Sequence, residues 1–189
     1  MIADFLKQET KNLHDLLESK MLVEHIMARS LSRQQFGHIL QTHFVVHQHI
    51  EPKIKAMFSG ELQERLKWDA RAKTPLLQQE LIENQLSQPD PIDFETHINN
   101  TDQALGAMYV LEGATLGGQI IQRSLRMNSN FAENKFPYYN IYGGDTGQKW
   151  KEFLGILEEN TQIPKDVLNG AEQVYSIYLK ATDVFVEAK

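Results

Sequence analysis

Apolar residues recur along most of this chain at spacings of three and four positions, which places them on one face of an α-helix. Runs of alternating apolar and polar residues, which are typical of half-buried strands, are absent from the sequence. We therefore predict an all-α, multi-helix bundle that forms a single domain over residues 1–189. The predicted helices cover residues 2–19, 23–29, 33–58, 61–72, 75–85, 105–125, 150–157 and 164–188.

Start and stop signals support several of these boundaries. Ser32 and Gln35 have the spacing of a capping box and predict the start of the long helix, in which Pro52 predicts a bend. Pro164 suits the first position of the last helix. The segment 128–147 is rich in Asn, Tyr and Gly, so we expect it to form turns.

The helix over 105–125 contains three glycines within six residues, Gly113, Gly117 and Gly118. Each interior glycine costs about 1 kcal/mol relative to alanine, yet the apolar pattern resumes directly after them. Two explanations remain open at this point. Either another helix packs closely against the Gly113 and Gly117 pair, or a flat ligand lies against the helix backbone.

A second polar pattern lies near the N-terminus. On a helix, Lys7, Lys11, His14 and Glu18 share one face. The imidazole of His14 can ligate a metal through one nitrogen, while Glu18 accepts a hydrogen bond from the other. The two lysines can meet two anionic groups of one ligand. A solvated helix face with charge pairs is the simpler explanation of the same pattern.

The stretches LKQETKNLH, which ends at His14, and YVLEGATLGG, which spans residues 109–118, together resemble the heme oxygenase family. The resemblance is greatest to the bacterial, phytochrome-associated type that makes biliverdin. It implies a heme oxygenase-like bundle in which His14 is the proximal ligand of the heme iron. It also implies that Lys7 and Lys11 lie near the heme propionates. The glycines at 113, 117 and 118 would lie over the heme face.

The resemblance implies that heme b is both cofactor and substrate, and that O₂ opens the ring at a meso carbon to give biliverdin, CO and ferrous iron. Electrons would come from a ferredoxin-type or flavodoxin-type donor with its reductase. A bacterial phytochrome is the implied recipient of the biliverdin.

This chain departs from the family pattern at two places. Ala114 stands where many members have an aspartate that orders water, so Thr115 or Tyr109 is expected to take that role. The predicted catalytic positions are therefore Gly113, Ala114, Thr115 and Gly117, and Tyr109 is added to the heme-binding residues. No clear counterpart exists for the arginine that many members place against a propionate. Substitutes are expected in Lys149, Lys151 or a tyrosine of 138–142.

Two alternatives use other features of the chain. A heme carrier or sensor on the same fold would keep His14 and the glycines but lack turnover, and Ala114 favours it. A non-heme iron oxygenase would use the face formed by His43, His47 and Glu51. Di-iron bundles need Glu-x-x-His pairs, and this sequence contains none, which argues against the second alternative.

Composition excludes several other classes of function. The formal net charge is −6, so the chain has no general basic surface for nucleic acid. It has no cysteine, which excludes disulfides, thiolate-ligated heme and cysteine nucleophiles. No segment resembles a signal peptide, and no apolar run approaches the roughly 18 residues that span a membrane. We therefore expect a cytoplasmic protein that binds neither nucleic acid nor membrane.

Overall fold

The computed structural model describes residues 1–185 and is helical throughout its regular parts. Within this range no strand occurs, so the all-α prediction is confirmed. The helices are α1 (Ile2–Glu9), α2 (Lys11–Lys20), α3 (Val23–Met27), α4 (Arg33–Met57), α5 (Gly60–Leu66), α6 (Thr74–Glu83), α7 (Thr101–Arg126), α8 (Thr146–Asn160) and α9 (Pro164–Phe185). Short 3₁₀ turns cover Trp68–Ala70 and Gly143–Asp145.

The capping signals act as the sequence predicts. Ser32 accepts a hydrogen bond from the Gln35 backbone N–H, and the Gln35 side chain accepts one from the Ser32 N–H. This reciprocal pair starts α4, which continues through Pro52. The side chain of Asn100 accepts from the Gln103 N–H at 2.8 Å and starts α7. α7 then runs without interruption through Gly113, Gly117 and Gly118.

The helix predicted over 2–19 is instead two helices that meet at Thr10. The backbone of Thr10, with φ −94° and ψ 3°, departs from helical values, and the Thr10 hydroxyl donates to the Leu6 carbonyl at 2.8 Å. Such back-bonding by threonine competes with regular helix geometry. The bonds from Thr10 N to Leu6 O and from His14 N to Thr10 O still span the junction. The two helices therefore follow one another almost as a continuation.

The helix predicted over 61–72 also ends early, because Lys67 takes a left-handed conformation with φ +52° after α5. A 3₁₀ turn follows it, and α6 begins at Thr74. The predicted end of the last helix, residues 186–188, lies outside the described residues. The turn-rich segment 128–147 is irregular as predicted, although α8 already begins at Thr146.

The core centres on α4, α7 and α9, and the closest crossing is between α7 and α9. Two glycines make that crossing possible. A Cβ at Gly106 would overlap the carbonyl oxygen of Val167, and a Cβ at Gly170 would overlap that of Gln103. Both glycines therefore serve close backbone packing. Among residues 1–185, no helix combines the length and apolar character needed to cross a bilayer.

Glu80 on α6 is a buried carboxyl next to this core. One oxygen accepts from the Tyr138 N–H at 3.0 Å, while Oε1 is buried without a hydrogen-bond partner among the described residues. Burial raises the pKa of Glu80 to about 8, and the Tyr138 N–H offsets only part of that rise. The side chain is therefore protonated in the folded protein at neutral pH.

We expect Gly170→Ala to destabilise the fold by about 2–3 kcal/mol, because the added methyl group would force the Gln103 carbonyl away. Gly155→Ala is the matched control, since nothing lies within 4 Å of a Cβ at that position in α8. The control should gain up to about 1 kcal/mol from helix propensity. Urea unfolding of both variants checks this, and equal stability of the two would contradict it.

Glu80→Gln should change how stability depends on pH. An unfolded glutamate releases its proton near pH 4.5, but folded Glu80 holds it up to about pH 8. Ionisation therefore favours the unfolded wild-type chain by about 1.4 kcal/mol for each pH unit between those values. The melting temperature of Glu80→Gln relative to wild type should rise from pH 5 to pH 8 and then level off. The exposed Glu61→Gln variant is the control, and a flat difference for Glu80→Gln would disprove the assignment.

Candidate functional site

α2 exposes apolar side chains that a core helix would bury. None of its residues is buried, although it carries three leucines, and Leu16 is 47% exposed. The helix packs on α9 and α3 and leaves the rest of its surface open. An apolar surface of this kind, bordered by charged groups, is typical of a binding site.

His14 lies on this exposed surface of α2, between two carboxylates. Its Nε2 is 3.7 Å from Glu18 Oε1, and its Nδ1 is 3.6 Å from Asp15 Oδ1. Neither distance is that of a direct hydrogen bond, so both ring nitrogens are accessible to a ligand or to water. Among residues 1–185, His14, Asp15 and Glu18 form the one group of three or more possible metal ligands whose donor atoms lie within 4.8 Å of one another.

The two predicted anion-binding lysines are also at the surface. Lys7 is exposed on α1, and Lys11 is exposed at the start of α2. Lys11 pairs with Asp15, and the hydrogen bond from Lys11 lowers the pKa of that carboxyl. The structure thus leaves Lys7, Lys11, His14 and Glu18 all exposed, on two helices that follow one another across the Thr10 junction.

One face of α7 carries the glycines. Gly113, Leu116, Gly117 and Ile120 have the spacing of one helix face, which we call the open face. Leu116 is 43% exposed and Ile120 is 61% exposed. A Cβ at Gly117 would have nothing within 4 Å, and one at Gly113 would meet only the Trp150 ring, at 3.7 Å. No other helix backbone covers this pair in the described structure, so close helix packing does not explain these two glycines.

The other predicted residues of α7 lie away from the open face. Gly118 is buried, and a Cβ there would lie 2.9 Å from the carbonyl oxygen of Tyr139. Thr115 is buried, and its hydroxyl donates to the Glu112 carbonyl at 2.6 Å. That hydroxyl is engaged within the helix, so its placement does not support the predicted role in ordering water. Ala114 is exposed beside the open face.

Aromatic residues close one end of the open face. The centroids of the Tyr109 and Trp150 rings lie 5.5 Å apart, and the Trp150 ring lies where it would meet a Cβ added at Gly113. Burial raises the pKa of Tyr109 to about 12, so its phenol is neutral. α2 and α7 both pack against α9, which carries the buried Tyr175. The exposed surface of α2 and the open face of α7 therefore lie on two helices that share α9 as a neighbour, and we call the region between these two surfaces the cleft.

His43, His47 and Glu51 lie in the interior and form a hydrogen-bonded network. His47 Nδ1 is 2.8 Å from Glu51 Oε1, and His43 Nδ1 is 3.0 Å from the Tyr178 hydroxyl and 3.1 Å from that of Tyr138. Burial lowers the pKa of His43 to about 3 and also lowers that of His47, so both rings are neutral. Both nitrogens of His47 and Nδ1 of His43 have protein partners, and the three side chains are absent from the metal-compatible group found among residues 1–185.

Most of the suggested substitutes for a propionate-binding arginine are engaged elsewhere, whereas Lys151 is exposed on α8. Tyr138 and Tyr139 are buried, and the Tyr142 hydroxyl donates to Glu112. Lys149 pairs with Glu152 at 3.0 Å. The tyrosine stretch is therefore not available to a carboxylate in the cleft.

Sequence reasoning missed a buried charge cluster directly behind the glycines. The Glu112 carboxylate pairs with Arg71 and Lys73, and all three side chains are at most 5% exposed. Burial alone would raise the pKa of Glu112, but Lys73 and Arg71 outweigh burial and lower it. A charged residue inside the apolar run LGAMYVLEGATLGG was a usable signal for this cluster. No signal in the sequence indicated Trp150.

Known proteins of one family resemble this chain. The family model described as heme oxygenase matches residues 1–183 of this chain. A curated heme oxygenase of Xanthomonas campestris is 27% identical over 112 residues. That alignment covers 58% of this chain and 66% of the relative, slightly less than two thirds of its length.

Solved heme oxygenase structures share the fold at low sequence identity. The NO- and CO-bound heme oxygenase of Neisseria meningitidis has a TM-score of 0.80 at 18% identity, over 100% of this chain and 94% of that one. Heme oxygenase-1 of the cyanobacterium Synechocystis, solved in complex with heme, has a TM-score of 0.77 at 12% identity, over 99% and 95%. With the family model matching all but the last few residues, this chain belongs to the heme oxygenase family.

Proposed function

We propose that this protein is a heme oxygenase that uses O₂ and externally supplied electrons to cleave heme b to biliverdin, CO and ferrous iron. The observation that carries the proposal is a pair of exposed surfaces on α2 and α7, two helices that both pack on α9. One surface presents an exposed histidine, and the other presents an apolar face with two uncovered glycines.

The residues of the cleft fit a flat, apolar, dianionic molecule with a central iron. Leu16, Leu116 and Ile120 offer apolar surface for the faces of a porphyrin. The missing side chains at Gly113 and Gly117 leave room for it to lie against the backbone. Lys7 and Lys11 supply local cations for the propionates in a chain whose net charge is −6.

His14 is the proposed iron ligand. One imidazole nitrogen binds the iron, and the other N–H is oriented by a carboxylate, with Glu18 as the proposed acceptor. This arrangement fixes the tautomer and the ring orientation. Lys11 is already paired with Asp15, so a propionate that binds Lys11 would share its ammonium group with the Asp15 carboxylate.

When bound, heme supplies the iron that activates O₂ and the meso carbon that is oxidised. The chain supplies the surface that confines this reaction. With no side chains at Gly113 and Gly117, the α7 backbone would lie close to a bound porphyrin, and Leu116 and Ile120 would shield it from water. Tyr109 is neutral and stands at the end of the open face, where its hydroxyl can organise water.

The electron donor is proposed to be a ferredoxin-type or flavodoxin-type protein with its reductase. A bacterial phytochrome is the proposed recipient of biliverdin. A cytoplasmic location and a single domain over 1–189 belong to the same proposal.

Ala114 and Thr115 favour a second candidate, a heme carrier or sensor that does not turn over. Ala114 has no polar group, and the Thr115 hydroxyl is engaged within α7. Neither residue offers the cleft a group that orders water. Only turnover distinguishes this candidate from the enzyme.

The first experiment mixes the protein with one equivalent of hemin, adds ascorbate or reduced ferredoxin in air, and follows the absorption spectrum. A Soret band that decays to a biliverdin spectrum with release of CO establishes the oxygenase. A stable Soret band with every donor identifies the carrier or sensor. Absence of any Soret shift would refute both candidates.

We expect His14→Ala to keep the fold, because the side chain is 55% exposed, and to lose the histidine-ligated heme spectrum. Imidazole added to the variant should restore that spectrum, since it can fill the vacated space. His25→Ala, which removes another exposed histidine, is the control. An unchanged heme spectrum in His14→Ala would identify a different ligand.

Gly117→Ala should separate stability from function. Nothing lies within 4 Å of the added methyl group, so the protein without heme should gain up to about 1 kcal/mol in stability. The same methyl group stands where the porphyrin is proposed to lie, so heme turnover should fall about tenfold, or about 1.4 kcal/mol in activation free energy. Gly155→Ala should gain stability without this loss. Wild-type turnover in Gly117→Ala would place the substrate elsewhere.

A further inference from the structure

The glycine segment of α7 is held from a second face of the helix, separate from the open face. Glu112, Thr115 and Gln119 have the spacing of one helix face, which we call the anchored face. Its residues bracket the three glycines, with Glu112 directly before Gly113 and Gln119 directly after Gly118. The side chains of Glu112 and Gln119 on this face make contacts outside α7, whereas the residues of the open face make few such contacts.

Glu112 attaches the start of the glycine segment to two other parts of the chain. Its carboxylate accepts from Arg71 Nη1 and from Lys73 Nζ, the latter at 2.5 Å. The Tyr142 hydroxyl is 3.0 Å from both carboxylate oxygens. Arg71 is itself fixed by the Leu66 carbonyl at 2.7 Å. Both oxygens of this buried carboxylate therefore have protein donors.

The buried charges around Glu112 are balanced. The Lys73 backbone N–H donates to Glu51 Oε1 at 2.8 Å, so a second carboxylate adjoins the cluster. Arg71 and Lys73 are positive, Glu51 and Glu112 are negative, and neighbouring His47 is neutral because burial lowers its pKa. A neutral cluster with complete hydrogen bonding can be buried, whereas removal of one member leaves an uncompensated charge.

Gln119 attaches the end of the glycine segment. Its Nε2 donates to the Gly143 carbonyl and to Thr146 Oγ1, the latter at 3.1 Å. Between the two anchors, the Tyr139 carbonyl lies against Gly118, where any side chain would displace it. The contacts made by Tyr139, Tyr142, Gly143 and Thr146 all come from one segment, residues 138–146.

We propose that residues 138–146 form a brace that fixes the height of the glycine segment over the heme, and that Glu112 and Gln119 are positioning residues for heme oxidation. This inference rests on the proposed function. Interior glycines are weak helix formers, so the backbone from 113 to 118 needs support from outside the helix. The brace supplies this support at the anchored face, so the open face stays free for the substrate. A displacement of that backbone changes which meso carbon faces the oxidant.

The test compares Gln119→Leu, Tyr142→Phe and Glu112→Gln with wild type. Gln119→Leu and Tyr142→Phe each remove a neutral hydrogen-bonding group and leave the buried charges unchanged. They therefore keep the test decisive if Glu112→Gln fails to fold. Asp102→Asn is the matched control. Asp102 is also a buried carboxylate of α7 that accepts two backbone N–H bonds, at 2.8 and 2.9 Å, but it lies eleven positions before Gly113, about 16 Å along the helix.

The first readout is hydrogen exchange of the protein without heme. Amides of residues 113–120 should exchange about tenfold faster in Gln119→Leu and Tyr142→Phe, and should keep the wild-type rate in Asp102→Asn. The second readout is the isomer composition of biliverdin by chromatography. The brace variants should give a mixture that differs from the wild-type pattern, whereas Asp102→Asn should reproduce it even if its stability falls.

Unchanged exchange and unchanged isomers in Gln119→Leu and Tyr142→Phe would overturn the brace. Equal changes in Asp102→Asn would also overturn it, because they would show a general effect of stability. If wild-type protein bound hemin without turnover, the proposed function would fail, but hydrogen exchange would still decide whether the brace holds the glycine segment.

Discussion

The backbone contact between α7 and α9 is the constraint on which the rest of the structure depends. Gly106 and Gly170 each allow a carbonyl of the opposite helix to occupy the space of a side chain. This approach fixes α9 against α7, and α2 packs on the same α9. The relative placement of the two exposed surfaces that form the candidate site therefore depends on this crossing.

The glycines of this chain serve opposite purposes in one helix. Gly106 and Gly118 are filled by carbonyls of neighbouring segments, whereas Gly117 faces open space and Gly113 meets only one aromatic ring. α7 is thus packed tightly through some glycines and left uncovered at others. Since each interior glycine costs about 1 kcal/mol, the uncovered ones need a compensating function or a compensating support. Heme binding in the cleft is the proposed function, and the contacts of residues 138–146 provide the support.

Much of this protein follows from local rules that the sequence displays. The capping box of Ser32 and Gln35, the continuation of α7 through its glycines and the exposure of the polar residues on α1 and α2 depend on neighbours within one or two helical turns. Departures occurred where the backbone angles of a single residue decided the result. Thr10 interrupts the first predicted helix, and Lys67 ends α5 in the left-handed conformation.

The sequence alone determined the all-α class, the family resemblance and the residue types that suit heme, because helical periodicity and short motifs are local properties. Only the tertiary structure decided which glycines are covered, that Thr115 turns inward, and that Glu112 meets Arg71 and Lys73. Glu112 is separated from these partners by about forty positions, and no spacing rule relates residues so far apart. Burial makes such a contact strong, and burial is a property of the packed chain.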